Sequence, residues 1–160
     1  MTFYEFINFG QRPQRPARLV HEARAELASS RGRREVLVEE IASGPYACSL
    51  PPDELILRFI LKPAADATFA DFQKIGRRRE LAIARINAAA MARQEPDGRL
   101  SFFRFSLGSC TPTPHRMPEV ESCLNGRVPT AELIWEAGRL LARARGMKLT
   151  MDGNSHEDVT

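Results

Sequence analysis

Hydrophobic and polar residues alternate over two short runs near the start of the chain, residues 23–27 and 35–39. A turn containing Ser and Gly, residues 29–33, separates the two runs. Because alternation with a period of two places every second side chain on one face of a strand, this pattern predicts a β-hairpin. The mostly apolar residues 55–61 predict a further strand, which ends at Lys62-Pro63.

The centre of the chain has a less regular pattern. Residues 64–79 predict a connection, and residues 80–93 are ambiguous because their alanines favour a helix. The Asp97-Gly98 pair that follows is typical of a tight turn between antiparallel strands, and it decides the prediction in favour of a hairpin. The elements predicted here are a helical turn at residues 69–72, a short helical start at 80–84, and strands at 86–92 and 99–107.

The last third of the chain predicts helices. Pro118 begins a short helix over residues 118–124, and Thr130 caps a longer one that runs to Arg145 and is closed by Gly146. Strands that come first and helices that come last indicate an α+β fold. We predict an antiparallel sheet of three to four strands with the C-terminal helices packed on one face.

Composition and charge narrow the class of protein. Hydrophobic residues make up 43% of the 160 positions, and the net charge is only +3. The chain therefore has enough apolar residues for a core, and it lacks the basic tail of many nucleic-acid-binding proteins. No signal peptide or membrane-spanning stretch is evident, and we expect a cytoplasmic protein that binds neither nucleic acid nor membrane.

The three cysteines and three histidines form no known metal-ligand or disulfide pattern. We therefore predict no metal ligands and no catalytic residue. Cys110 and Cys123 are interpreted as small buried side chains, His115 as a loop residue without an evident partner, and Trp135 as core or interface.

Several segments carry, in order, a resemblance to a known family. They are residues 23–29, 31–34, 43–45, 50–56, 72–79, 81–84, 97–98, 105–108, 111–116, 119–121 and 124–126. Each segment alone is weak, but their order and spacing resemble the C-terminal part of the FAD-binding (medium) subunit of molybdenum hydroxylases, the carbon monoxide dehydrogenase and xanthine dehydrogenase flavoprotein family. The resemblance covers roughly residues 19–147.

The resemblance implies an oxidoreductase flavoprotein. In this family electrons pass from a molybdenum cofactor through iron–sulfur clusters to FAD, and the flavin then reduces an acceptor. The implied partners are a molybdopterin-binding large subunit and an iron–sulfur small subunit. The resemblance places two residues at FAD: Lys74, whose cation would favour reduced flavin, and Ile56, whose backbone would contact the ring. The alternative without a cofactor is that Lys74 is a solvated surface residue and that Ile56 packs as an ordinary strand residue.

One departure from the family concerns the FAD cradle, which lies upstream in relatives and contains glycine pairs. This chain has 10 glycines but neither a Gly-Gly pair nor a GxGxxG motif. The chain alone is therefore expected to be inactive, and a polypeptide that carries the missing cradle is a possible partner. The predicted divisions are an aromatic extension and linker (1–17), a remnant of the flavin domain (18–63), the C-terminal domain (64–147) and a frayed tail (148–160).

Two further functions are compatible with the sequence. The chain is alternatively a non-catalytic docking or scaffold domain, or a truncated remnant. A weaker alternative is a basic nucleic-acid binder that uses Arg77, Arg78 and Arg79. The same three arginines also suit a phosphate, an iron–sulfur subunit or a solvated turn. The stretch Thr111-Pro112-Thr113-Pro114-His115-Arg116 is interpreted as a fixed structural loop.

Overall fold

A computed structural model describes residues 15–44, 47–76, 84–110 and 113–146. The helices are α1 (Arg15–Val20), α2 (Val38–Ile41), α3 (Pro118–Leu124) and α4 (Ala131–Ala144). The strands are β1 (Arg24–Ser29), β2 (Gly32–Leu37), β3 (Ala42–Gly44), β4 (Ala47–Cys48), β5 (Leu55–Ile60), β6 (Thr68–Gly76), β7 (Ala84–Gln94), β8 (Leu100–Gly108) and β9 (His115–Arg116). The fold is α+β with antiparallel sheets, as predicted.

The predicted N-terminal hairpin is present as β1 and β2, but β2 ends at Leu37, and Val38 and Glu39, which were predicted as strand, lie in α2. With β5 they form a three-stranded antiparallel sheet in the order β2-β1-β5. The side chains of Ala25, Leu27, Val36 and Ile41 are buried together against one face of this sheet. Apolar residues at every second position of β1 thus build a small core, which is what the alternating pattern predicted.

A four-stranded antiparallel sheet has the order β6-β7-β8-β9. The turn between β7 and β8 contains Gly98 at φ +85°, a conformation that glycine adopts without strain, and this confirms the predicted hairpin. The prediction for residues 64–79 was wrong in part. Residues 69–72, predicted as a helical turn, lie within β6, which pairs with β7 along its whole length.

The physical reason for this error is tertiary pairing. Phe69 and Phe72 are three residues apart, a spacing that places two side chains on the same face of a helix. Their backbone groups instead pair with those of β7. Ala84 was expected at the end of a short helical start, and it is the first residue of β7. The remaining residues of that predicted start, 80–83, lie outside the described residues.

The C-terminal helices pack on one face of the four-stranded sheet, as predicted. Phe103, Phe105 and Leu107 alternate along β8 and contact the apolar face of α3 and α4. Thr130 caps α4, since its Oγ1 accepts a hydrogen bond from the Leu133 N–H at 3.3 Å. Trp135 was predicted to lie either in the core or at an interface. Its side chain is 41% exposed, so the prediction of a core position was wrong.

Helix α1 covers the other face of the same sheet. Val20 packs there with Ala89 and Met91, and Pro16 is fully buried. The sequence placed Pro16 in a linker that ends at residue 17, whereas in the structure Pro16 lies in the first turn of α1. Proline is tolerated in the first turn of a helix because its missing N–H has no helical partner there. The predicted boundary between residues 17 and 18 falls inside α1.

The other domain divisions stay predictions. Most of the predicted aromatic extension and the predicted tail, residues 1–14 and 148–160, lie outside the described residues. Within the described ranges, no helix has both the length and the apolar character that crossing a membrane requires.

Candidate functional site

A row of three residues crosses one end of the four-stranded sheet. Lys74 of β6 lies directly opposite Asn87 of β7, and Asn87 lies opposite Gly108 of β8. Directly opposite residues of antiparallel strands share one face, so this row lies on the face that α1 covers. Lys74, at the edge of the row, is exposed. The structure therefore leaves this cation accessible at a defined corner of the sheet.

Asn87 is the unusual member of the row. Its side chain is 1% exposed, and neither the amide oxygen nor the amide nitrogen has a hydrogen-bond partner in the part of the chain described. A buried polar group without a partner costs about 1–3 kcal/mol, which makes such groups rare. The sequence offered no signal for this feature, because burial and the lack of a partner are properties of the folded state.

Gly108 makes the burial of Asn87 sterically possible. A Cβ atom at position 108 would lie 2.4 Å from the Asn87 Oδ1 atom and 3.0 Å from the Pro16 Cγ atom. Both distances are tighter than ordinary van der Waals contact. The absence of a side chain at Gly108 therefore lets α1 and the Asn87 amide approach the sheet together.

Ile56, the second residue assigned to FAD by resemblance, lies on the other sheet. It belongs to β5, is half-buried, and packs against the core of the three-stranded sheet. It lines a cavity of about 30 Å³ whose walls include Arg18, Leu19 and Phe59. Lys74 is not among the residues that line this cavity, so the structure does not join the two predicted residues in one pocket.

Residues 113–116, which include β9, are tied to their surroundings by polar contacts. The Nδ1 atom of His115 lies 2.8 Å from the Thr113 carbonyl oxygen, and its Nε2 atom contacts the Arg145 guanidinium. The sequence offered no evident partner for His115, because Arg145 is distant in sequence and only the fold brings it near. Arg116 forms ion pairs with both Glu22 and Glu121. His115 and Arg116 form strand β9, paired with β8, and not part of a loop as predicted, while residues 111 and 112 of the predicted loop lie outside the described residues.

The cysteines follow their predicted role in part. Cys123 is buried, Cys110 is half-buried, and both contact the core under α3 and α4. Arg77, Arg78 and Arg79 lie outside the described residues, so the phosphate, docking and nucleic-acid interpretations of that run stay predictions. Among the residues described, no group of three or more Cys, His, Asp or Glu side chains is placed to hold a metal ion.

Comparison with protein families gives a match over residues 71–157 to the CO dehydrogenase flavoprotein C-terminal domain. The chain belongs to this family. The matched region begins inside β6 and extends beyond α4, so it includes most of the four-stranded sheet and both C-terminal helices. No curated protein sequence matches the chain.

Solved structures of similar fold include three oxidoreductases. One is carbon monoxide dehydrogenase from Hydrogenophaga pseudoflava, in a form that lacks the Mo-pyranopterin moiety of the molybdenum cofactor (TM-score 0.76, 22% identity, 87% of this chain and 48% of that chain). Another is quinoline 2-oxidoreductase from Pseudomonas putida 86 (TM-score 0.72, 25% identity, 89% and 48%). The third is reconstituted CO dehydrogenase from Oligotropha carboxidovorans (TM-score 0.74, 21% identity, 86% and 47%). This chain spans about half the length of each of these chains.

Membership of a flavoprotein family raises the question of whether the described residues fit FAD. The cavity beside Ile56, about 30 Å³, has room for one or two water molecules and not for a flavin ring. The sequence also lacks the glycine pairs that let backbone approach a pyrophosphate. Lys74 and Ile56 would contribute one cation and one apolar contact, on separate sheets. These residues alone do not form an FAD site.

Proposed function

We propose that this chain acts as the C-terminal domain of the FAD subunit of a molybdenum hydroxylase-type oxidoreductase. In the complete enzyme, electrons would pass from iron–sulfur clusters through FAD to an acceptor. The observation that carries the proposal is the family match over residues 71–157, which covers the sheet that bears Lys74. The large molybdopterin-binding and small iron–sulfur subunits are the proposed partners.

In this proposal FAD is held only with polypeptide beyond these 160 residues. The small cavity beside Ile56 and the lack of glycine pairs in the sequence support this requirement. Two observations support a role for Lys74 near the cofactor: its side chain is exposed, and it lies directly opposite the buried Asn87. A cation at this corner would attract negative charge on a bound partner or cofactor.

The first experiment measures FAD binding. The purified 160-residue chain is titrated with FAD, and retained flavin is measured by visible absorbance after gel filtration. We expect no retention by the chain alone and stoichiometric retention when the native partners are co-expressed. Tight stoichiometric binding by the chain alone would contradict the proposal that a partner is needed.

A second experiment tests Lys74 in the reconstituted complex. Lys74→Met removes the cation and keeps most of the side-chain length, whereas Lys74→Arg keeps the charge. We expect Lys74→Met to lower the flavin reduction potential and Lys74→Arg to restore most of it, because a nearby positive charge stabilises reduced flavin. Equal flavin reduction potentials in the wild type and in Lys74→Met would contradict a position of Lys74 near the flavin.

The exposed edge of the three-stranded sheet favours a second candidate, a docking domain without bound flavin. β5 is the last strand of this sheet, and Leu55, Leu57 and Leu61 near it are each about half exposed. Among the residues that the structure describes, β5 pairs only with β1, and an edge strand with apolar side chains is a typical place for a partner to add a strand. Co-purification from the native host distinguishes the candidates: a partner complex without flavin supports docking, and a monomer without partners contradicts it.

A further inference from the structure

A second cleft lies on the face of the four-stranded sheet that α1 partly covers. Its volume is about 310 Å³, at the lower end of the range for small-molecule sites. Met91 and Phe102 form its apolar floor. The turn that follows α1 forms one wall, and residues 62–65, between β5 and β6, form another. We call this space the cationic cleft.

The charges around the cationic cleft are mostly positive. Lys62, Arg93 and Arg104 line it, and Glu22 is the one acidic residue among the residues that do so. The Glu22 carboxylate is already shared by two guanidinium groups, at 2.8 Å from Arg104 and 2.8 Å from Arg116. Glu22 therefore does not neutralise the remaining cations of the cleft.

Arg104 is held in place by the protein. It donates a hydrogen bond to the Val20 carbonyl oxygen at 3.0 Å, and its guanidinium lies 4.6 Å from the centroid of the Phe102 ring. Burial, and after it the charge of Arg104, lower the pKa of the His21 imidazole, which lines the same cleft. Arg104, paired with Glu22, therefore forms a fixed wall of the cleft.

Lys62 and Arg93 are the cations that remain available. Within the described residues, Lys62 has no ion pair or hydrogen bond. The Arg93 Nε–H donates a hydrogen bond to the Ser101 Oγ atom at 3.0 Å, and the same nitrogen lies 3.6 Å from the Glu95 Oε1 atom. The two terminal nitrogens of Arg93 are therefore left for another acceptor. A guanidinium fork and an ammonium together suit an oxyanion with two negative charges.

We propose that the cationic cleft binds a small organic phosphate. The phosphate contacts Lys62 and Arg93, and the apolar part of the ligand lies against Met91 and Phe102. A phosphate monoester carries between one and two negative charges near pH 7 and accepts hydrogen bonds from an ammonium and from guanidinium nitrogens, while Glu95 at 3.6 Å offsets part of the Arg93 charge. Neither Lys74 nor Ile56 lines this cleft, so the site is separate from the proposed flavin contacts.

The test uses the full chain and phenyl phosphate as the probe, with binding measured by calorimetry or by NMR titration. Phenyl phosphate has an aromatic ring for the floor and a dianion for the cations. Benzoate keeps the ring with a single charge, and inorganic phosphate keeps the dianion without the ring. We expect phenyl phosphate to bind more tightly than either, and more weakly as salt is added.

Variants locate the binding site. We expect Lys62→Met and Arg93→Gln each to weaken binding of phenyl phosphate about fivefold, as for the loss of one partly exposed charged contact. Arg99→Gln is the matched control. Arg99 lies on the same hairpin and pairs with an acidic turn residue, as Arg93 does, but it is outside the cleft. We expect Arg99→Gln to change affinity by less than about twofold.

Three results would overturn the proposal. The first is no binding of phenyl phosphate at millimolar concentrations. The second is equal affinity for phenyl phosphate and inorganic phosphate, which would show that the apolar floor takes no part. The third is an equal loss in Arg93→Gln and Arg99→Gln, which would indicate non-specific attraction to a basic surface. Circular dichroism spectra of the variants confirm that each remains folded.

Discussion

Replacing Glu121 by alanine removes the acceptor at the centre of a largely buried ionic network. Glu121 lies in α3 and is 7% exposed. Its carboxylate accepts a hydrogen bond from the Phe105 N–H of β8 at 3.0 Å and two from the Arg116 guanidinium at 2.9 and 2.6 Å. The hydrogen bonds to Glu121 are the main cause of the raised pKa of Arg116. This side chain therefore joins the first C-terminal helix to the sheet.

The size of the effect follows from the groups left without a partner. An unpaired buried N–H at Phe105 costs about 1–3 kcal/mol, and loss of one member of a buried ion pair costs about 3–5 kcal/mol. The Arg116 side chain is 26% exposed and keeps Glu22 as a partner. The expected loss of stability therefore lies at the lower end of the range for a buried ion pair. We expect Glu121→Ala to lower the free energy of unfolding by about 3 kcal/mol, or Tm by about 6–12 °C.

Urea unfolding followed by far-UV circular dichroism measures this change. Glu121→Gln keeps one acceptor oxygen and loses the charge. We therefore expect the stability of this variant to lie between those of the wild type and Glu121→Ala. Glu119→Ala is the matched control, because Glu119 is an exposed residue of the same helix turn, and its loss is expected to cost less than about 1 kcal/mol. A loss in Glu121→Ala no larger than in Glu119→Ala would refute the reasoning.

Three further predictions concern stability and are measured by the same unfolding assay. Gly108→Ala is expected to lower stability by about 1–3 kcal/mol, since the new Cβ would overlap the Asn87 Oδ1 atom at 2.4 Å; wild-type stability would show that Asn87 moves away at no cost. Thr130→Ala is expected to cost about 1 kcal/mol by removing the N-cap of α4, whereas Thr130→Ser keeps the acceptor and most of the stability; equal losses in both would contradict the capping role. His21 has a lowered pKa in the folded chain, because of burial and then Arg104, so the unfolded chain takes up its proton first as the pH falls. The contribution of His21 to stability is therefore present above about pH 6.5 and decreases below it, and unfolding curves from about pH 8 to pH 5 are expected to show a smaller decrease in His21→Gln.

The elements predicted correctly are those that neighbouring residues specify. The Thr130 cap, the proline that begins α3 and the Asp97-Gly98 turn each act through backbone groups within a few positions. These signals also establish the order of elements, strands first and helices last, and therefore the α+β class. The family was recognisable from ordered short segments, and the match over residues 71–157 confirms it.

The errors fall where distant residues decide the outcome. β6 forms because β7 offers a complete ladder of backbone partners, and the apolar spacing inside residues 69–72 carries no information about that ladder. α1 forms over residues that include Pro16 because its apolar side meets Ala89 and Met91 on the sheet. His115 found its partner in Arg145, thirty positions away. No local pattern reveals contacts of this kind.

Local chemistry along the chain was enough to specify the β1–β2 and β7–β8 hairpins, the ends of α3 and α4, and the family to which the chain belongs. It also identified Lys74 and Ile56, through resemblance, as positions to test. Only the tertiary structure placed these two residues on different sheets and gathered Lys62, Arg93 and Arg104 around one cleft. It also buried Asn87 beside Lys74 with no side-chain hydrogen bond to any other described residue. The reason is physical: caps and turns depend on bonds within a few residues, whereas burial, electric field and cavity shape depend on residues that only folding brings together.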